Sequence, residues 1–385
     1  MKRFRKIIFW THLVCGATAG VVILIMSVTG ALLAFERDII EFSERDVRYI
    51  AGSGDGVRLT PQEIIEHVRR QRPDAKPSAM SITRVPNAAW LFNLGREGQF
   101  FVDPFTGEIT GEGKATVRGV MSELRSWHRY VALSGPERPI GKAITGASNL
   151  LFLLLAISGI YIWMPRNFKW GTIKPVIWFR RGLRGKGRNF NWHNTIGFWS
   201  SLFLIIFTMT ATVISYQWAS NLLFTLTGNE VPAAATSSSN NPPPQTEREF
   251  EYPQKIDSVW AVAEMQAPNW RSISLRLPLE DNLAVFTIDE GIYWNLFGRS
   301  SLTVDTTTSV VTKWEPYGEQ NAARQLRSWF RFTHTGETGG LIGQFIGFVA
   351  CVGGAFLVWT GFSLAFRRLA NSWKRRSHGS LESEI

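Results

Sequence analysis

The sequence predicts a membrane α-helical protein, with four transmembrane helices built as a two-fold internal repeat and two α+β domains on one face. Three observations predict it: four long apolar runs free of charge, two passages that recur in the same order, and Lys/Arg gathered into three segments beside the runs. The mean hydropathy of −0.03 hides this segregation, because polar stretches separate the runs.

The runs span 13–35, 144–164, 196–219 and 341–366. Each reaches the roughly 20 apolar residues that cross a ~30 Å hydrocarbon layer. Lys2, Arg3, Arg5 and Lys6 before the first run invite a signal-peptide reading. That run is too long for one, follows directly on His12 and has three similar runs behind it, so it is read as retained. The loop before Trp192 carries Arg166, Lys169, Lys174, Arg180, Arg181, Arg184, Lys186 and Arg188 with no acid, and the tail adds Arg367, Arg368, Lys374, Arg375 and Arg376. The positive-inside rule makes these segments cytoplasmic, together with both termini. The net charge of +11 therefore reflects topology. It does not mark nucleic-acid binding, which would need a basic patch with base-reading or stacking residues on a soluble domain.

The organisation that follows is 1–36 for the N-terminus and first span, 37–139 for the first outer domain, and 140–166 for the second span. A basic inner loop (167–192), the third span (193–219) and a second outer domain (220–339) with a Pro/Ser-rich insertion (232–246) come next, then the fourth span (340–367) and a tail (368–385). The repeat is carried by Leu124-Arg125-Ser126-Trp127 against Leu326-Arg327-Ser328-Trp329, and by His12-x-x-x-Gly16 against His193-x-x-x-Gly197. In the first outer domain, Thr60-Pro61-Gln62-Glu63 reads as a capped helix start, with a helix to about residue 72. Strands are expected near 80–85, 89–94 and 99–102, and the turn chemistry of Asp103-Pro104-Phe105-Thr106-Gly107 closes a hairpin. In the second, a helix is expected at 259–265 and strands at 273–277, 283–288 and 292–296.

Six histidines are present, and four of them sit at the ends of apolar runs. His12 and His193 open the first and third runs, while His128 and His334 precede the second and fourth, which makes one pair per face. His67 and His378 read as surface residues. Ionisable groups at a membrane are costly and functional by default. A zinc site needs three or four ligands close together, and neither pair is read as having an acidic or thiol neighbour inside the bundle. Haem iron needs only two axial ligands, which imidazoles from facing helices can supply. Without Cys-x-x-Cys-His, such a haem is held by ligands alone. Arg125, Arg129, Arg327 and Arg331 lie close in sequence to the outer histidines; they read equally as partners of haem propionates or as markers of the membrane interface. Cys15 and Cys351 read as small buried hydrophobes. No nucleotide fingerprint or hydrolase triad is present, so electrons would arrive from a separate donor.

Leu59-Thr60-Pro61 through Phe101-Val102-Asp103-Pro104-Phe105-Thr106-Gly107-Glu108 resembles a PepSY domain. Together with Ser158-Gly159-Ile160-Tyr161-Ile162-Trp163-Met164-Pro165-Arg166 and His334-Thr335-Gly336, it resembles the PepSY-associated transmembrane proteins over nearly the whole chain, most of all the di-haem inner-membrane ferric-siderophore reductases of the ferrioxamine type. The resemblance implies two periplasmic PepSY-like domains, two haem b groups held by His12, His128, His193 and His334, and a bacterial inner-membrane location. It also implies reduction of a periplasmic ferric siderophore with release of Fe(II), the electrons coming from a cytoplasmic or quinol donor. Thr303-Val304-Asp305-Thr306-Thr307-Thr308 lacks the Pro and Gly of the hairpin, which weakens the match of the second outer domain. Two other readings stay open: a non-enzymatic membrane scaffold whose outer domains bind a peptide or protease, and a haem electron-transfer subunit serving another acceptor.

Overall fold

The computed structural model describes residues 2–50, 56–165, 167–232, 250–291 and 298–381. In chain order the helices are α1 (Lys2–Leu33), α2 (Glu36–Ser43), α3 (Arg45–Arg48), α4 (Pro61–Gln71), α5 (Ala115–Tyr130), α6 (Arg138–Trp163), α7 (Trp170–Ile177), α8 (Gly185–Ser215), α9 (Gln217–Leu226), α10 (Ile256–Gln266), α11 (Ala322–His334) and α12 (Gly340–Leu381). The strands are β1 (Ala79–Thr83), β2 (Trp90–Asn93), β3 (Gln99–Val102), β4 (Ile109–Glu112), β5 (Ser272–Arg276), β6 (Leu283–Asp289), β7 (Arg299–Asp305) and β8 (Val311–Glu315). They form two compact units, one of Met1–Phe35, Met121–Ser220 and Phe330–Ile385, the other of Glu36–Val120 and Asn221–Trp329.

The first unit is a four-helix bundle. Helices α1, α6, α8 and α12 cover the four candidate spans, all long and apolar enough to cross a membrane. Both α1 and α8 pack against α6 and α12, so α1 and α8 stand diagonally across the bundle. The helices outrun the apolar runs, since α1 begins at Lys2, α8 at Gly185 and α12 ends at Leu381. Backbone hydrogen bonding carries a helix through basic and polar residues once its apolar centre is fixed. Polar side chains lock neighbours together inside the bundle: buried Asn149 on α6 donates to the Thr208 carbonyl and to Thr212 Oγ1 of α8, both at 3.0 Å. Such interhelical bonds are the usual adhesive where hydrophobicity no longer discriminates inside from outside.

The second unit holds one eight-stranded antiparallel sheet, ordered β4-β3-β2-β1-β5-β6-β7-β8. Each outer segment supplies four strands, and β1 pairs with β5 from Ala79–Arg276 to Thr83–Ser272. The sequence reading of two modules did not anticipate this union. Helix α4 has the expected capping box, with Thr60 Oγ1 accepting from Glu63 N and Glu63 returning a bond to Thr60 N. Its buried Ile64, Ile65 and Val68 share a core with Val259, Trp260 and Ala263 of α10 and with the inward residues of the sheet.

Both halves end on the same hairpin. Asp103 Oδ1 accepts from the amides of Phe105 and Thr106, while Asp305 Oδ1 accepts from those of Thr307 and Thr308. A positive φ closes each turn, 72° at Gly107 and 55° at Ser309, and each hairpin carries a register shift in the strand before the aspartate. The second hairpin thus reaches the same geometry without Pro or Gly, because the aspartate does the turning by capping the backbone. The strand expected at 292–296 and most of the 232–246 insertion fall outside the described residues.

Candidate functional site

The four run-end histidines meet in two pairs within the bundle unit. His12 on α1 and His193 on α8 face each other with ring centroids 6.4 Å apart and planes at 85°. His128, at the end of α5, faces His334, at the end of α11, with centroids 6.3 Å apart and planes at 51°. With a metal–imidazole bond of about 2 Å and a ring centre about 1 Å behind the bonding nitrogen, two imidazoles on opposite sides of one metal have centroids about 6 Å apart. Both pairs have that spacing.

The hydrogen bonds decide which nitrogen is free. Nδ1 of His12 meets Ser158 Oγ at 2.9 Å, that of His193 meets Thr360 Oγ1 at 2.9 Å, and that of His128 meets Thr29 Oγ1 at 3.0 Å. Each hydroxyl already gives its own proton to a backbone carbonyl of its helix, Ser158 to Leu155, Thr360 to Phe356 and Thr29 to Ile25. It must therefore accept from the imidazole. His334 Nδ1 meets the Phe207 carbonyl at 3.1 Å, which can only accept. All four rings thus carry their proton on Nδ1 and present an unprotonated Nε2. That is the tautomer that binds metal, fixed by the partner of the other nitrogen.

Small residues make room for the rings. Gly30, Gly159 and Gly361 each follow one of these hydroxyl residues, and a Cβ on them would lie 3.2, 3.4 and 3.5 Å from Cε1 of His128, His12 and His193. A hydroxyl residue followed by glycine or alanine is thus the shared element, as Thr29-Gly30, Ser158-Gly159, Thr210-Ala211 and Thr360-Gly361. Its signal lay in the repeat: Thr29 and Thr210 each stand 17 residues after the inner histidine of the same helix. Ser158 and Thr360 share the 202-residue offset that relates Trp127 to Trp329. By that offset His128 matches Phe330, and His334 comes four residues later. Four residues make about one turn, so the ring stays on the same helix face but shifts along it. Thr210 Oγ1 is then 3.4 Å away and the Phe207 carbonyl becomes the nearer acceptor. Where α5 and α11 give way to the spans, Gly141 and Gly343 hold the same offset, and a Cβ on either would collide with a carbonyl, that of Tyr130 or of Gly336.

The inner pair lines a cavity of about 690 Å³ with Gly16, Ala17, Gly20 and Gly197 on its helix walls and Leu155, Phe198, Leu204, Leu357 and Phe362 around them. That volume lies in the roughly 300–1,000 Å³ range of cofactor sites. Among the described residues no three His, Cys, Asp or Glu side chains converge as a metal cluster. The donor set is therefore two opposed neutral imidazoles in an apolar cleft, which fits a planar macrocycle that brings its other ligands with it. Arg125, Arg129, Arg327 and Arg331 are exposed; Arg129 lies over the Tyr130 ring and Arg331 over the Phe332 ring. His67 is half-buried on α4, where a Cβ at Gly107 would strike its ring.

These features define a four-span membrane protein whose bundle holds two facing histidine pairs, one towards each end. The chain belongs to the PepSY-associated TM region family, whose profile matches residues 9–368. Comparison with curated proteins finds no match.

Proposed function

We propose that the protein is a di-haem electron-transfer reductase of the bacterial inner membrane, taking electrons on the cytoplasmic side and delivering them to a periplasmic ferric siderophore. The observation that carries this reading is the pair of opposed, Nδ1-anchored imidazoles at each end of one bundle. His12 and His193 would hold one haem b, and His128 and His334 the other. When bound, haem supplies reversible one-electron chemistry at the iron. The residues of the chain set its surroundings. Ser158, Thr29, Thr360 and the Phe207 carbonyl orient the ligands, and largely apolar walls surround the inner pair. Seventeen residues of α1 separate His12 from Thr29, about 26 Å of helix rise, which nearly matches the hydrocarbon thickness. The basic flanks of α1, α8 and α12 support a cytoplasmic position for the inner pair.

Purified protein is expected to be red, with a Soret band that shifts on dithionite reduction and a haem content of two per chain. Reduced protein mixed with ferrioxamine should reoxidise. A colourless preparation refutes the proposal and favours a scaffold; a red protein that the ferric chelate leaves reduced serves another acceptor.

Thr360→Val keeps the side chain's shape and removes the acceptor that fixes His193. Loss of an outer-shell partner typically weakens metal-site affinity about 10- to 100-fold. Haem titration of the stripped variant should show that loss at the inner site alone, and unchanged affinity would mean that packing, not the hydroxyl, orients the ring.

A further inference from the structure

The inner cavity has one charged end. Lys186 and Arg368 line it, on the first turns of α8 and near the end of the apolar part of α12, and Asn194, Ser201 and Asn371 add uncharged polar groups to the lining. Lys186 precedes His193 by seven residues, and Arg368 follows Gly361, which packs on the His193 ring, by seven. Seven residues are two turns, so each cation lies on the face of its helix that reaches the imidazoles, about 10 Å of rise away. The Arg368 guanidinium is held in place, 4.8 Å from the centroid of the Phe9 ring and 4.9 Å from that of Trp10. Among the described residues no Asp or Glu comes from the helices that carry these two cations: residues 1–35, 138–229 and 338–381, which include all four spans, contain neither.

We propose that Lys186 and Arg368 bind the carboxylates on one edge of a planar, dianionic tetrapyrrole held by His12 and His193. This rests on the haem reading above and adds to it the residues that fix the cofactor's rotation in the cleft. The sequence offered Arg125, Arg129, Arg327 and Arg331 beside the outer pair, equally as carboxylate partners or interface markers, and named none for the inner pair. A cavity that is apolar around the ligands and doubly cationic at one rim matches a macrocycle with an apolar body and two carboxylates, and guanidinium suits carboxylate in both charge and shape.

The test uses full-length protein in detergent, with His12→Ala serving to identify which component of the redox titration belongs to the inner site. In Lys186→Gln/Arg368→Gln the inner component should move to more negative potential, since cations at the rim favour the reduced, more negative cofactor. Haem should also pass from that site to an apoglobin acceptor about tenfold faster or more, as expected for loss of charge-assisted bonds. The outer component should stay where it is, which reports an intact bundle. Arg367→Gln removes the neighbouring cation, which does not line the cavity, and should match wild type. An inner component with wild-type potential and release rate in the double variant overturns the assignment, as does an equal effect from Arg367→Gln. Wild-type protein without a Soret band would sink the haem reading itself before any variant is made.

Discussion

Replacing His193 with alanine should remove half of the Soret absorbance, all of it from the inner site, and stop electron transfer across the bilayer. The substitution deletes one of two opposed ligands and leaves the other in place. His12 keeps its bond to Ser158, and the α1, α6 and α12 contacts that do not involve the ring remain. Removing an outer-shell partner of a metal ligand costs about 10- to 100-fold in affinity, so loss of the ligand itself should cost on the order of 100-fold or more. In proteoliposomes charged with reductant inside, reduction of an external ferric chelate should fall to background, while the outer pair still binds its haem. Imidazole added to the buffer should restore part of the lost absorbance, which a merely structural role for His193 would not permit. His128→Ala should do the reverse, sparing the inner component. Retention of both haems in either variant would refute the pairing.

The spans were legible because charge exclusion over some 20 residues leaves few alternatives. The histidines were legible because polar groups at run ends stand out against an apolar background. What the sequence concealed were relations between distant residues. The β1–β5 pairing joins segments almost 200 residues apart, and no periodicity within Ala79–Thr83 or Ser272–Arg276 announces a partner. The helices α5 and α11 escaped notice because their polar faces broke any apolar run, although their amphipathic pattern carries His128 and His334 to the bundle. Thr29 and Thr360 looked like ordinary span residues, since a lone hydroxyl in a transmembrane helix usually satisfies itself on the carbonyl four residues back. Both do so, and only the second bond, accepted from an imidazole, gives them a role. Asp305 shows the opposite case. Its segment read as a poor hairpin for want of Pro and Gly, yet the one residue that forms the turn was present.

Glu44, which nothing in the sequence singled out, carries the other large effect. It joins α2 to α3 and has no solvent exposure, yet its carboxylate is fully engaged. Arg118 binds it through both oxygens at 2.5 and 2.7 Å, Arg48 Nη2 donates at 2.9 Å, the Lys114 amide at 3.0 Å and Gln99 Nε2 at 3.4 Å. Burial pushes such a carboxyl's pKa up, but here the bond and charge of Arg118, with the Arg48 and Lys114 bonds, outweigh burial and hold it below the ordinary value. Breaking a buried pair by removing one partner costs about 3–5 kcal/mol; because Arg118 can partly reach water, the lower end, about 3 kcal/mol, is expected for Glu44→Ala. The sign of the pH dependence follows from the lowered folded-state pKa. The unfolded chain binds the proton more readily, so the stabilisation is complete above the unfolded value near 4.3 and is lost as pH falls through the folded one. Amide exchange of β3 and β4 in the full-length protein should be faster in Glu44→Ala by a margin that is constant between about pH 5 and 7 and narrows below about pH 4. Equal protection in wild type and variant across that range would show that the arginines hold these helices without the carboxylate.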